Sequence, residues 1–528
     1  MKQPTRVVLI PLSGFIIYTS LIQFRSPLAT WPTRLLSLFV ILITTKYTHS
    51  LVTNLLFHHR AHRQGCGDVP LRHHRDPLLG LDYTRAALRA LNTFKLMPLY
   101  VDGFDKYGQT HYYIALGQRI LITNDAANIK AILTNLDAFP IAGPRLLTAL
   151  PVLGPNSIFT SNGQTWHDAR AMIRPSFVRD QVSDLQHFER HVSNLLGAVP
   201  RDGTTFDMQD LLMKMTMDSS TDFMLGYSTN SLVEASPAAA RFLADFEYAS
   251  AECAKKARLG PILFKLPHRG LEEAVVRLRG FIRGYLEQVR THKVENVSEQ
   301  EDRSYVFLDE LLKLGIPEDH VVDHILSIII AGRDTTAASM AAVFYCLARA
   351  PGAVARLRAE IEEEGTETPS WEQLRGMKFL NNVIKEALRL FPPIATNARS
   401  ASRETVLPTG GGPDGKQPIL VPKGMPVRWS LYCLQRRKDI YGPDADEFKP
   451  ERWEKKDLKH AVAWEYIPFH GGPRICLGQQ FALTQMGYAL FRFFKTFKSI
   501  EAREEGEPLI RTSISASFAH GCLISVAE

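Results

Sequence analysis

The chain has 528 residues, with 62 basic against 55 acidic side chains and a formal net charge of +7. Its residues are 45% hydrophobic, 9% aromatic and 22% charged, a composition that suits a globular chain with a large core and excludes disorder, a collagen-like repeat and a small disulfide-stapled scaffold. The mild positive surplus suits an acidic partner or an anionic membrane surface and makes no case for nucleic acid.

Val7 to Phe24 is apolar apart from small or uncharged polar residues and approaches the ~20 residues that span a bilayer. Arg25, Pro27, Pro32 and Arg34 follow, then a second apolar run from Leu35 to Thr45 closed by Lys46, then a basic, His-rich stretch from His58 to Arg75. No small-residue cleavage site follows the first run, which speaks against a secretory signal. Residues 1–57 fit a membrane anchor of two short helices, or of one helix and an interfacial one. Residues 58–99 then read as a basic linker leading into the body. Arg60, Arg63, Arg72 and Arg75 would keep that body cytoplasmic.

Residues 100–528 show no linker long enough to divide them, and they read as one unit. Tyr112–Leu116 and Arg119–Thr123 alternate about Gly117-Gln118, a hairpin signal, and Asn124-Asp125 can cap a following helix. Trp166 and Arg170 stand at i,i+4, on one helical face. Residues 160–350 predict mostly helices, with 3.6-residue spacing in Val182–Leu196, Asp207–Leu225 and Gly270–His292. The sequon Asn296-Val297-Ser298 should stay unglycosylated in a cytosolic body.

The apolar segment between Pro317 and Pro351-Gly352 predicts a helix of roughly thirty residues spanning about 50 Å. Its middle carries Ala331-Gly332-Arg333-Asp334-Thr335-Thr336. Glycine and paired threonines are locally unfavourable there, and the hydroxyls can bond back to the preceding turn. Glu386 and Arg389 can pair across one turn. The same spelling at Glu287/Arg290 and Glu372/Arg375 carries no such context; Glu386 is followed by Leu390-Phe391-Pro392-Pro393 and by Pro450-Glu451-Arg452-Trp453. Gly410 to Gly415 matches G-x-G-x-x-G in letters. A dinucleotide site needs it to open a helix, and Pro413 and Pro418 forbid one, so it reads as a turn and leaves no built-in nicotinamide or flavin site. Residues 404–430 carry short β-like runs such as Ile419–Val421, and Leu509–Val526 reads as a hairpin turning near His520-Gly521. The fold class is mainly α with a small β portion.

The six cysteines form no C-x-x-C pair, which speaks against zinc modules and a disulfide framework. Cys476 is different in kind. It sits in a glycine-rich loop, Phe469–Gly478, just before the helical pattern Gln479–Phe494. Backbone amides and a helix N-terminus favour a thiolate there, and the glycines let the chain wrap a bound group.

The whole loop, F-x-x-G-x-R-x-C-x-G, resembles the haem-binding loop of the cytochrome P450 superfamily, the haem-thiolate monooxygenases. That resemblance implies the cytochrome P450 fold and a thiolate-ligated haem b (iron protoporphyrin IX). It makes Cys476 the iron ligand, sets Arg474 on a haem propionate and Phe469 beside the sulfur, and leaves His470 as a loop residue. An anionic sulfur donor pushes electron density onto iron and favours O–O cleavage. Ala331–Thr336 is similar to the family's oxygen-side motif, which makes Thr335 a hydroxyl serving dioxygen and Asp334 part of proton delivery. Trp166 and Arg170 resemble the family's W-x-x-x-R on the propionates, where arginine pairs with carboxylate, and Arg399 resembles a further propionate arginine. Glu386, Arg389 and Arg452 match the buried ionic triad, a structural role.

The spelling of 331–337, of Ala169–Phe177 and of Arg437–Trp453 looks closest to the fungal branch that hydroxylates alkanes and fatty acids. By that resemblance the chain is a monomer on the endoplasmic reticulum membrane, facing the cytosol. It would take electrons from NADPH through a separate diflavin reductase, NADPH–cytochrome P450 reductase. It would use O2 to hydroxylate aliphatic C–H bonds of a small hydrophobic, chain-bearing substrate. Similar members also tailor polyketide-type secondary metabolites. Arg436, Arg437 and Lys438 are candidates for the surface that meets the reductase, and residues 226–270 with the 513–522 turn should line the pocket. A haem-thiolate isomerase or dehydratase and a non-catalytic haem carrier or sensor are the competing readings. The intact Asp334-Thr335 pair favours the monooxygenase.

Overall fold

The computed structural model describes residues 16–25, 30–177, 183–258, 267–295, 306–454 and 463–527. The apolar run Val7–Phe24 lies partly outside them, and the sequon at Asn296 wholly outside.

Residues 16–25 are helical, and a separate helix, Trp31–Arg63, follows. Pro32 stands in its first turn, where a missing N–H costs nothing. Arg60, His62 and Arg63 stand in its last, where the carbonyl ends favour positive charge. Among the described residues this is the helix that is long and apolar enough to cross a bilayer while remaining outside the protein core. Trp31, Leu36, Phe39 and Leu42 on it are exposed. No Gly or Pro occurs from Thr33 to Gln64, so the helix runs straight through residue 57, where the sequence puts the end of the anchor. Its final turns dock on the body. Phe57, Ala61 and Cys66 pack with Leu420, Arg119 donates to Asn54 at 2.8 Å, and Arg60 pairs with Glu404 at 3.1 Å. Residues 58–99, the basic linker and entry segment of the sequence, finish this helix, carry Leu81–Asn92 and begin Leu96–Tyr107.

The rest is mostly helical, with four small sheets among the described residues. Strands Thr110–Ala115 and Gln118–Thr123 pair antiparallel, and Ala115 faces Gln118. The turn is thus Leu116-Gly117, one residue earlier than the spacing suggests, with φ of 48° and 72°, the mirror-image turn that matches strand twist. Gln118–Thr123 then pairs parallel with Pro426–Ser430, which pairs antiparallel with Thr396–Ser400. The Asp125 side chain caps the next helix, Ala126–Thr134, accepting from the Ala127 and Asn128 amides. Gly410 and Gly415 close a β-hairpin between Thr405–Gly411 and Gln417–Val421.

The axis of the core is the helix Glu318–Leu347, buried along most of its length on every side, as an all-round apolar helix must be. Helices Met208–Leu225, Lys378–Leu390 and Gln479–Thr496 pack on it. Gly332 is no flaw in this setting. A Cβ there would lie 2.7 Å from the Ser220 hydroxyl on Met208–Leu225, so glycine sets how closely the two helices approach.

The C-terminal hairpin turns elsewhere than expected. Ile510–Thr512 pairs with Ala516–Phe518, so the turn is 513–515. His520-Gly521 instead carries the chain to another sheet, where Leu523–Ala527 pairs with Ser499–Ala502 and Phe206–Asp207.

Candidate active site

The cysteine loop doubles back on itself. The Cys476 amide donates to the Phe469 carbonyl at 3.1 Å and the Ile475 amide to Gly472 at 3.0 Å. Gly472 opens the turn Gly472–Arg474 at φ 71°, and a Cβ on it would lie 2.5 Å from the Leu133 carbonyl oxygen. Both facts demand glycine. Gly472→Ala is expected to cost more than the ~1–2 kcal/mol of a left-handed residue, because a backbone carbonyl cannot step aside. A lowered urea midpoint checks it.

Cys476 is exposed, whereas the other five cysteines are buried. Yet burial is the largest influence on its thiol and raises its pKa, opposed by a hydrogen bond from the Gly478 amide and by the Arg170 charge. Open surface amid dense protein marks a side chain on a concave wall. The helix Gln479–Thr496 starts immediately after Gly478, adding its positive end.

Helix Gly163–Ile173 carries Trp166 and Arg170. The guanidinium of Arg474 lies 4.3 Å from the buried Trp166 ring and that of Arg170 5.8 Å. Arg170 donates to the Ile475 carbonyl at 3.0 Å, and Arg474 to the Ser161 carbonyl at 3.0 Å and to Asn162 Oδ1 at 3.2 Å. Arg399, buried on strand Thr396–Ser400, donates to Asn397 Oδ1 at 3.3 Å. The other end of that amide donates to Nε2 of His470 at 2.5 Å. The structure therefore gathers Trp166, Arg170, Phe469, Arg474 and Cys476 around one loop and joins Arg399 to it through Asn397 and His470.

Asp334 and Thr335 lie on the long helix, and their hydrogen bonds among the described residues stay on it. Thr335 donates back to the Ala331 carbonyl at 2.6 Å. Asp334 accepts from Arg333 at 3.0 Å, and Arg333 also pairs with Glu247 of helix Pro237–Arg258 at 2.5 Å. Burial is the largest influence on Asp334 and raises its pKa above the usual carboxylate value, with Arg333 pulling it back. The folded chain thus holds this proton to higher pH than the unfolded chain does. Stability contributed by Asp334 falls as pH rises from the ordinary carboxylate range through the raised pKa. Asp334→Asn should flatten that limb, and urea midpoints across pH check it.

The family model for cytochrome P450 matches residues 92–519. The chain belongs to the cytochrome P450 family. It is 38% identical over 450 residues to cytochrome P450 monooxygenase himC of Aspergillus japonicus, covering 84% of this chain and 80% of that protein. It is 34% identical over 507 residues to cytochrome P450 monooxygenase FPY7 of Fusarium mangiferae, covering 92% and 95%. It is 36% identical over 423 residues to cytochrome P450 52A13 of Debaryomyces hansenii, covering 77% and 80%. Cytochromes P450 are haem-thiolate enzymes that typically use O2 and a redox partner, and membership makes this chain an oxidoreductase of the monooxygenase type.

The residues present fit such a cofactor. A thiol that accepts a backbone amide bond and faces a concave wall suits an iron ligand, and three guanidiniums held near one loop suit two carboxylates. One expected surface does not hold. The side chains of Arg436 and Arg437 are only 11% and 18% exposed. Arg436 is engaged by the Leu390 carbonyl and the Tyr432 ring, Arg437 by Asp439 and the Asn124 carbonyl. Packing against aromatic rings and carbonyls consumes two of the three cations proposed to meet a reductase, and Lys438 alone of them is exposed. Sequence reasoning missed Asn397, whose amide has no motif, and Glu247, which lies far from Arg333 in sequence.

Proposed function

We propose that this cytochrome P450 is a membrane-attached monooxygenase that hydroxylates aliphatic C–H bonds of a hydrophobic, chain-bearing substrate. Cys476 would supply the thiolate that holds the haem iron, and Arg170, Arg399 and Arg474, with Trp166, would hold the haem propionates. The observation that carries the reading is the cluster of Trp166, Arg170 and Arg474 around the Cys476 loop. When bound, the haem supplies oxygen activation and C–H oxidation. The chain's own residues place it, keep bulk water away and deliver protons.

The aliphatic preference rests on the resemblance of residues 331–337, Ala169–Phe177 and Arg437–Trp453 to the alkane- and fatty-acid-hydroxylating branch. Beside the long helix, Ala338, Ala342, Phe391, Pro392 and Phe518, with Tyr432 and Ser517, line a crevice of only about 10 Å³. The exposed apolar helix Trp31–Arg63 supports membrane attachment. The Arg and His side chains at its C-terminal end support a cytosolic body; the endoplasmic reticulum and electrons from NADPH through a diflavin reductase are what the resemblance to the fungal alkane- and fatty-acid-hydroxylating branch implies. Residues 1–57 are the anchor, residues 58–99 lead from it into the body, and residues 100–528, with the start of helix Leu96–Tyr107, are the catalytic unit.

Thr335 and Asp334 supply the proton path. Thr335→Ala is expected to leave haem binding intact while NADPH is consumed with more hydrogen peroxide and several-fold less hydroxylated product. Incubation with reductase, NADPH, O2 and a series of fatty acids and alkanes, with products read by mass spectrometry, tests the substrate reading and this variant together. No chain-hydroxylated product from any of them sinks the substrate class; full coupling in Thr335→Ala sinks the role of Thr335.

A further inference from the structure

Outside the haem loop, one cluster of ligating side chains serves nothing described above. His187 and His191 stand one turn apart on helix Gln186–Ala198, the spacing that brings two side chains to one side. Asp222 comes from the adjacent helix Met208–Leu225. Nε2 of His191 lies 2.9 Å from Oδ2 of Asp222, and Nδ1 of His187 lies 3.8 Å from the same oxygen. One ligand atom from each of the three falls within 4.8 Å of the others. A tetrahedral zinc ion with bonds of about 2.0–2.2 Å separates its ligand atoms by about 3.3–3.6 Å. The two observed separations lie on either side of that value.

The surroundings suit a bound ion. Phe188, Phe223 and Phe481 pack about the His187 imidazole, whose ring meets that of His191 edge-on. The side chains of Asp222 and His187 are 21% and 13% exposed and that of His191 1%, so the cluster opens to solvent on the Asp222 side. Nε2 of His187 lies 3.5 Å from the Ser219 hydroxyl, an outer partner of the kind that orients a ligating imidazole, while Nδ1 faces Asp222. Nδ1 of His191 has no partner among the described residues, so Asp222 alone orients that ring and small adjustments are open to it. Asp222 thus faces both imidazoles, through a hydrogen bond to His191 and a wider 3.8 Å approach to His187.

We propose that His187, His191 and Asp222 bind one divalent transition ion of the zinc class, with water as the fourth ligand. Two imidazoles and one carboxylate select such an ion over calcium or magnesium, which take oxygen sets. The ion ties two neighbouring helices together, and Phe481 of the helix that follows the cysteine loop packs against them.

The test uses the full-length, untagged, haem-loaded enzyme dialysed against zinc chloride, with bound zinc measured by elemental analysis and the thermal midpoint recorded with and without zinc. The expected result is a site filled at one zinc per chain that raises the midpoint. His187→Gln removes a ligand and leaves the His191–Asp222 bond in place, so its Soret spectrum should match the parent, and its own zinc-free midpoint is the baseline for its zinc shift. Its zinc affinity should fall by more than about tenfold, since even an outer partner of a zinc ligand commands that much. Asp222→Asn should lose the site as well. Absence of a one-to-one site in the parent overturns the proposal. So does zinc uptake that both variants leave unchanged, which would place the ion elsewhere, in the His-rich stretch 58–74.

Discussion

Cys476→Ala is expected to abolish both substrate oxidation and the red-shifted carbon-monoxide absorption of the reduced protein that marks sulfur ligation, while leaving the fold in place. The loop does not depend on the sulfur. Its closing bond runs from the Cys476 backbone amide to the Phe469 carbonyl, and alanine keeps that amide. What is lost is the acceptor of the Gly478 amide and the group whose charge Arg170 favours. No neighbour can take over. His470 is the nearest alternative in sequence, and its Nε2 already receives the Asn397 amide. The remaining cysteines are buried, and burial pushes the thiols of Cys346 and Cys433 up to about 12, so neither offers a thiolate near neutrality. Cys433→Ser should keep the band at full intensity and serves as the control. If Cys476→Ala still shows the sulfur-type band, the site has been placed on the wrong residue.

How much of this site the sequence discloses depends on how locally each part is built. The cysteine loop, the Trp166–Arg170 pair and the long helix are each made by residues within a few turns of one another, and all three could be read as motifs. Features that depend on distant partners could not. Glu247 meets Arg333 from another helix, and Phe57 packs with Leu420, which is why the docked end of the first long helix reads as a linker. Arg436 and Arg437 look like a solvated basic run. The Arg436 head instead lies over Tyr432 and Phe391 and donates to the Leu390 carbonyl, and the Arg437 head donates to the Asn124 carbonyl, an arrangement open to arginine because its planar head stacks and donates at once. Turn chemistry misled in two places. Leu116 takes a left-handed φ of 48° that its side chain does not advertise, and Gly521, at φ 87°, serves a passage between sheets instead of a hairpin.

Glu386→Gln is expected to destabilise the enzyme by about 3–5 kcal/mol, the usual result of removing one partner from a buried ion network. Glu386 and Arg389 have no exposed side-chain surface. Oε1 of Glu386 accepts from Arg389 at 2.8 Å, from Arg452 at 3.2 Å and from the Lys449 amide at 3.1 Å. Oε2 accepts from Arg389 at 2.9 Å and from the Trp453 indole at 3.0 Å. A glutamine amide would turn two donors toward this ring of donors and leave Arg452 with Asp444 and Arg389 with the carbonyls of Gln435, Ala445 and Glu447. The damage would reach the haem loop through Gln435. That side chain donates to the Leu388 and Arg389 carbonyls at 3.0 and 3.1 Å and accepts from the Ile467 amide at 3.1 Å, two residues before Phe469. Urea unfolding followed by far-ultraviolet dichroism reads the stability, and the rate of haem loss reads the coupling to the loop. Lys449→Ala removes a half-exposed ammonium that pairs with Asp444 and Glu447, and should cost no more than ~1 kcal/mol while keeping the Lys449 amide on Glu386. If the two substitutions cost the same, the buried carboxylate does not organise this region, and the path from the triad to the cysteine loop has no energetic basis.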